Sequence, residues 1–261
     1  KAAALMHPNT LLDHEEDGIF FEEIFLRHLF LVTRFPYKEL LLTIDNMKDL
    51  TKVEQQHMLN IHHKVIQKIL FLRGPDTLYL SKEVAGHRKL ELLMEKYPQG
   101  QFIFPFRRSS EWITSILKLD RLSVAAKTTI DVDDIPKYES CYVERLRQDA
   151  DNVLKNFHNN QLVSRRINLS FEHLNQQPRD VVKQVYKAFN INLSKEFENE
   201  LDSLQALQDE RNLTFQPSRN TKKYHGFDSF DALVETIYED KMHLPKTVPW
   251  APVVLVINAL L

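Results

Sequence analysis

The chain has 261 residues, long enough for one domain with a substantial core, and 43% apolar with 27% charged residues is the composition of a folded globular protein. A net charge of −2 excludes wholesale nucleic-acid binding, and the single cysteine, Cys141, excludes an internal disulfide. No apolar run reaches the length of a membrane span, and no Cys/His set has zinc spacing.

Lys1 to Thr10 carries neither an initiator methionine nor a signal peptide, so the sequence reads as beginning inside a longer chain. From Leu11 to Tyr37, Asp13 can cap a helix with an apolar side of Ile19, Phe20, Ile24, Leu29 and Phe30. Glu15 and Glu16 in its first turn complement the helix dipole. Lys38 to Leu50 reads as a short helix and turn. Lys52 to Arg73 is a longer helix, with Val53, His57, Ile61, Val65, Ile69 and Leu72 on the stripe expected to cover a sheet. His57, His62 and His63 do not share a helical face, which argues against a metal site.

Thr77 to Leu80 is a short β-forming run entered from Gly74-Pro75-Asp76. Leu90, Leu92, Leu93 and Tyr97 then recur at helical spacing until Pro98-Gln99-Gly100 stops them. Gln101 to Phe106 is a second apolar run, after which Ser109 or Ser110 can cap a segment carrying Trp112, Ile113, Ile116, Leu117 and Leu119. Strand, helix, strand, helix is the order of a parallel sheet with a right-handed crossover. Polar residues cluster where each strand gives way: Ser81 and Lys82, then Arg107 to Ser110. Ligands of open α/β sheets bind at those carboxyl ends, and cations, hydroxyls and a helix N-terminus together suit a phosphate. A solvated basic loop is the simpler alternative.

Arg121 to Lys137 is a polar connection whose Asp131, Asp133 and Asp134 lack the glycine and terminal glutamate of a calcium loop. Tyr138 to Phe157 is a helix burying Tyr138, Tyr142, Leu146, Val153 and Phe157. Gln161 to Leu169 is a third strand, containing Arg165 and Arg166. Pro178 suits the first turn of a helix, Arg179 to Phe189, that packs Val181, Val182, Val185, Tyr186 and Phe189 inward. Ser194 caps Lys195 to Gln208, and Phe215 to Tyr224 is a basic loop holding Arg219, Lys222 and Lys223. Phe227 to Met242 is a last helix with Phe230, Leu233, Val234 and Ile237 inward. The ending VPWAPVVLVINALL, broken by Pro249 and Pro252, is too short to cross a bilayer and reads as a packed final strand or a truncated end. Of three glycosylation triplets, at Asn168, Asn192 and Asn212, the first lies at a strand end and is poorly accessible. The compartment stays open between cytoplasm and Golgi lumen.

Ser81-Lys82, Tyr97-Pro98-Gln99-Gly100-Gln101-Phe102-Ile103, Arg107 and Ser115 follow one another without a gap in a pattern that resembles the nucleotide-binding half of the sulfotransferases. Ser170-Phe171-Glu172-His173-Leu174 with Pro178 resembles a later Tyr-Glu-Asp-Leu segment of that family. Arg108-Ser109, Glu83-Val84 and Phe171 depart from the family pattern. The resemblance implies one α/β domain over residues 1–261, a parallel sheet flanked by helices in the phosphate-loop nucleotide-binding architecture. The loop that grips the 5'-phosphosulfate is missing, so that domain is expected to be incomplete at its N-terminal side. The implied co-substrate is 3'-phosphoadenosine 5'-phosphosulfate, with no metal. Arg107 and Ser115 would hold the 3'-phosphate, Arg219, Lys222 and Lys223 would close over the nucleotide, and Lys82 would sit near the transferring sulfuryl group. Glu15 or Glu16 would take the acceptor's proton, the acceptor itself being unspecified. Two other classes stay open: a non-catalytic relative serving as a binding scaffold, and a nucleotide kinase-like phosphotransferase.

Overall fold

The computed structural model describes residues 50–74, 77–83, 88–127, 134–158, 163–214, 222–240, 242–243 and 253–257. The expectations for residues 1–49, with Glu15 and Glu16, and for Arg219 lie outside them. In chain order the elements are α1 (Lys52–Arg73), β1 (Tyr79–Glu83), α2 (Leu90–Lys96), β2 (Gln101–Phe106), α3 (Ser109–Lys127), α4 (Ile135–Phe157), β3 (Arg166–Ser170), α5 (Phe171–Gln176), α6 (Pro178–Ala188), α7 (Lys195–Thr214), α8 (Asp228–Asp240), β4 (Met242–His243) and β5 (Val253–Ile257). The five strands form one sheet in the order β1-β5-β2-β3-β4. All pairings are parallel except that of β4, an antiparallel edge on β3. The fold is α/β.

Alternation along β2 builds both layers. Phe102, Phe104 and Phe106 face a large core shared with Leu90, Leu93, Trp112, Leu146, Val153 and Phe230. Ile103 faces the other way, joining Ile167 and Leu169 of β3 under Val181, Val185 and Phe189 of the α6 segment. Helices therefore cover both faces of β2 and β3. Pro178 opens α6 as its first residue, a place where the missing N–H costs nothing.

The final apolar run supplies the strand nobody would place from local pattern alone: β5 lies inside the sheet. Its register sets Ser81 opposite Leu255 and Ile103 opposite Val256. A strand reading Val-Val-Leu-Val-Ile, apolar at every position, suits a place paired on both sides. So β1 and β2, consecutive in sequence, are separated by one strand.

Three local expectations need correction. The helix α1 has the expected bounds and a capping box, Thr51 accepting from the Glu54 amide while the Glu54 carboxylate accepts from the Thr51 N–H at 2.7 Å. Its buried face, however, is Gln55, Met58, Leu59, His62 and Ile66. Val53 and Leu72, assigned to the inner stripe, are 79% and 81% exposed. Two polar residues with specific partners carry the rotation: the Gln55 amide donates to the Leu50 carbonyl at 3.1 Å, and His62 Nδ1 lies 3.0 Å from the Tyr97 hydroxyl. The second correction concerns β1, which starts two residues later than read and includes Ser81 and Lys82. Nor is residues 121–127 a connection, since α3 continues to Lys127.

The turn Pro98-Gln99-Gly100 between α2 and β2 is held from below by a buried guanidinium. Arg165 Nη1 donates to the carbonyls of Tyr97 and Pro98, both at 2.9 Å. Trp112, with none of its surface exposed, meets Phe227 and Phe230 edge-to-face at 5.9 and 6.3 Å. Asn168 is 2% exposed, which closes that glycosylation triplet in the folded protein.

These placements predict that Trp112→Ala lowers stability by about 3–5 kcal/mol, the range for removing a fully buried aromatic ring. Ser115→Ala, at an exposed position three residues on, should stay within about 0.5 kcal/mol. Urea unfolding of the two variants checks the order. Equal losses would mean that α3 is rotated.

Candidate functional site

The carboxyl ends of β2 and β3 are brought level by their register, Phe106 opposite Ser170. The next residues, Arg107 and Phe171, therefore leave the sheet side by side, and the Arg107 guanidinium lies 4.8 Å from the centre of the Phe171 ring. Its Nε donates to Glu111 Oε2 at 3.3 Å, one turn into α3. Arg107 is half-buried, its fork resting on an aromatic face at the rim of the sheet.

Arg108 does something different. Its Nε and Nη2 donate to the two carboxylate oxygens of Glu235 on α8 at 2.7 and 3.2 Å, a bidentate fork. Its Nη1 donates to Glu172 of α5 at 3.3 Å and lies 3.7 Å from Glu111. The guanidinium also stacks 4.3 Å from the centre of the Tyr238 ring. The hydrogen bond to Glu235 is the main reason its pKa is pushed above the ordinary arginine range. Burial, followed by the charge of Glu111, pushes the Tyr238 phenol up to about 12.

Ser109 completes the clasp. Its backbone N–H donates to Asp231 Oδ1 at 2.8 Å and its hydroxyl to Asp231 Oδ2 at 2.5 Å. The expected arrangement, a serine accepting at the helix N-terminus, is reversed here: Ser109 is the first helical residue and the carboxylate comes from α8. An N-terminal N–H of α3 that could have faced a phosphate is already satisfied by a carboxylate. Across this rim Arg107 and Arg108 meet three acids, Glu111, Glu172 and Glu235, and Ser109 meets a fourth, Asp231.

Further along α3, Thr114 Oγ1 and the Tyr224 hydroxyl lie 3.1 Å apart, while Thr114 also donates to the Ser110 carbonyl at 2.8 Å. This contact seats Lys222 to Tyr224, the end of the basic segment, against α3 beside the exposed Ser115. Lys222 Nζ lies 5.1 Å from the centre of the Tyr224 ring, and Lys222 and Lys223 are both exposed. Gly226, at φ 84°, turns the chain from there into α8, where an added Cβ would sit 2.7 Å from Arg147 Cδ.

Lys82 stands apart from this group. It is the fourth residue of β1, exposed, on the face opposite the buried Tyr79 and Ser81. Lys82 and Ile103 both pair with Val256, so they sit two strand spacings apart at the same height. Arg107, four residues beyond Ile103, is then about 16 Å from Lys82 between Cα atoms, by standard strand spacing and rise. Of the described site residues, Ser115 is on α3, Arg107 just precedes it, Lys222 and Lys223 lie on the segment tied to it by Tyr224, and Lys82 lies across β5.

Among the described residues no group of three or more His, Cys, Asp or Glu could hold a metal ion, and no helix is long and apolar enough to cross a membrane. No family model, curated protein or solved structure matches the chain. Sequence reading missed Asp231 and Glu235. Their spacing of four on a helix whose other side is Phe230, Val234 and Ile237 was the available signal, because two acids on one exposed face ask for a cationic partner.

Asp231→Ala should destabilise the chain by about 1–2 kcal/mol, the cost of losing a carboxylate that satisfies a helix N-terminus. Chemical denaturation checks this, and a loss below about 0.3 kcal/mol would deny the clasp an energetic role.

Proposed function

We propose that the chain is the nucleotide side of a sulfotransferase-type domain, binding a bisphosphorylated adenosine nucleotide at the carboxyl edge of its sheet. The Thr114–Tyr224 contact is the observation that carries the reading. It draws a late basic segment onto the same helix that offers Ser115 and that begins beside Arg107. A planar guanidinium at the start of that helix, a hydroxyl on it and ammonium groups on the segment tied to it are donor types that suit a terminal phosphate, which takes donors from several directions. The motif order Ser81-Lys82, Tyr97-Pro98, Arg107 and Ser115, resembling that family, supports the same assignment.

In this reading the co-substrate is 3'-phosphoadenosine 5'-phosphosulfate. The S–O bond to the 5'-phosphate breaks as sulfur forms a new bond to the acceptor, S–O to a hydroxyl or S–N to an amine. The leaving phosphate keeps the electron pair, and the acceptor's proton passes to a carboxylate, Glu15 or Glu16. Arg107, Ser115, Lys222 and Lys223 hold the remote 3'-phosphate, and Arg219 joins them. That binding energy positions the reacting end. Lys82 supplies its ammonium to the bridging oxygen as charge builds there. A separation near 16 Å between Lys82 and Arg107, shortened by two long side chains, leaves room for a nucleotide carrying phosphates at both ends.

A second reading has an observation of its own. Arg108 and Ser109, which stand at the sheet's carboxyl edge beside Arg107, are held by acids of the same chain. A rim that neutralises its own cations suits a non-catalytic relative that keeps the fold as a binding scaffold. The kinase-like alternative draws no support from the described residues.

Calorimetry with 3'-phosphoadenosine 5'-phosphate separates them. The first reading predicts measurable binding by the whole chain, weakened in Arg107→Ala by about 1.5–3 kcal/mol, or roughly 10- to 150-fold, as for a lost charge-assisted hydrogen bond. Binding unchanged in Arg107→Ala would remove that residue from the site. No binding at all would favour the scaffold.

A further inference from the structure

The helix α1 buries Gln55, Met58, Leu59, His62 and Ile66. At about 100° per residue, the opposite stripe runs through Asn60, Lys64 and Phe71, with Lys68 beside it and Leu72 at its border. Phe71 is 87% exposed and Leu72 nearly as much, although both are large and apolar. Lys64, Lys68 and Arg73 are exposed around them. Lys96 of α2 adds a fourth cation to the same stripe, its Nζ donating to Asn60 Oδ1 at 2.9 Å. Among the described residues none of these four cations is ion-paired to a carboxylate. The one acid of α1, Glu54, stands in its first turn and is engaged with Thr51.

We propose that this outer face of α1 docks on a surface of anionic lipid. Lys64, Lys68, Arg73 and Lys96 meet the headgroups, and Phe71 and Leu72 enter the layer beneath. The whole chain carries a net charge of −2, so attraction to an anionic surface has to be local, and this face supplies it. From Asn60 to Phe71 the stripe is about 16 Å long, with its cations gathered toward the apolar end. A polyanion without an apolar layer, such as a nucleic acid or an acidic polysaccharide, would use the cations and leave Phe71 and Leu72 in water. A purely apolar groove would cover those two and leave the ammonium groups unbalanced. The boundary of an anionic bilayer takes both kinds of side chain, with the apolar stems of the lysines lying along it. Because Met58, Leu59 and Ile66 are packed into the core, the helix lies on the surface and does not cross it. The surface is independent of the nucleotide site.

Sedimentation of the whole chain with phosphatidylcholine vesicles, with and without phosphatidylserine at about one part in three, tests this. Binding to the anionic vesicles alone, weakened by added salt, supports the surface. Each lost cation should cost about fivefold, so Lys64→Gln with Lys68→Gln should weaken binding about 25-fold. Phe71→Ser should weaken vesicle binding about tenfold and leave retention on a heparin column unchanged, since that polyanion has no apolar layer. All three side chains are exposed, so the variants should keep the parent's melting temperature. Equal sedimentation with both kinds of vesicle, or none with either, would overturn the proposal and leave the face to a partner protein. Vesicle binding indifferent to Phe71→Ser would also overturn it, and would make the face a site for polyanions.

Discussion

β5 is what makes one sheet out of two pieces. Among the described residues β1 pairs with β5 and with no other strand, while β5 also pairs with β2. Among the described residues, the backbone pairing between the Lys82 side of the sheet and the Arg107 side therefore runs through residues 253–257. Parallel pairing of strands so far apart in sequence is slow to form and is stabilised mainly by what covers it. Here the covering is uneven. Phe102, Phe104 and Phe106 are buried under α3, α4 and α8, whereas Leu80 of β1 is 61% exposed. The β2–β3 half carries most of the core, and β1 joins it through β5 and through the buried Tyr79.

A second constraint acts at the rim. The helix α8 presents acids on one side and Phe230, Val234 and Ile237 on the other, so burying its apolar face carries Asp231 and Glu235 to the start of α3. Adjacent arginines thereby acquire different roles. Arg108, forked onto Glu235 and stacked on Tyr238, ties α3, α5 and α8 together. Arg107 meets a ring and one weakly placed carboxylate. Sequence shows two arginines in a row; tertiary packing separates a structural one from a candidate for binding.

How much of this could be read from residues varies with the range of the interaction. Helix bounds set by local chemistry were legible, as in Lys52 to Arg73, Pro178 at a first turn and the stop at Pro98 to Gly100. The order strand, helix, strand, helix pointed correctly to an α/β sheet. The face of α1 was not legible, because polar Gln55 and His62 have partners at Leu50 and Tyr97 that apolar periodicity cannot weigh. The place of β5 was invisible for a plainer reason: nothing local in an apolar run says which strands it will join. At the site, Arg107 just precedes α3, Ser115 lies on it and Lys222 lies on the segment that Tyr224 ties to it, but the carboxylates of α8 that occupy Arg108 and Ser109 were not foreseen.

The account depends most on β5 being paired on both sides, and amide hydrogen exchange reads that directly. Residues 253–257 should exchange as slowly as those of β2, since exchange would require opening the middle of the sheet. Exchange at those amides as fast as at the exposed Lys222 and Lys223 would contradict the sheet order and, with it, the proposal that Lys82 and Arg107 serve one site.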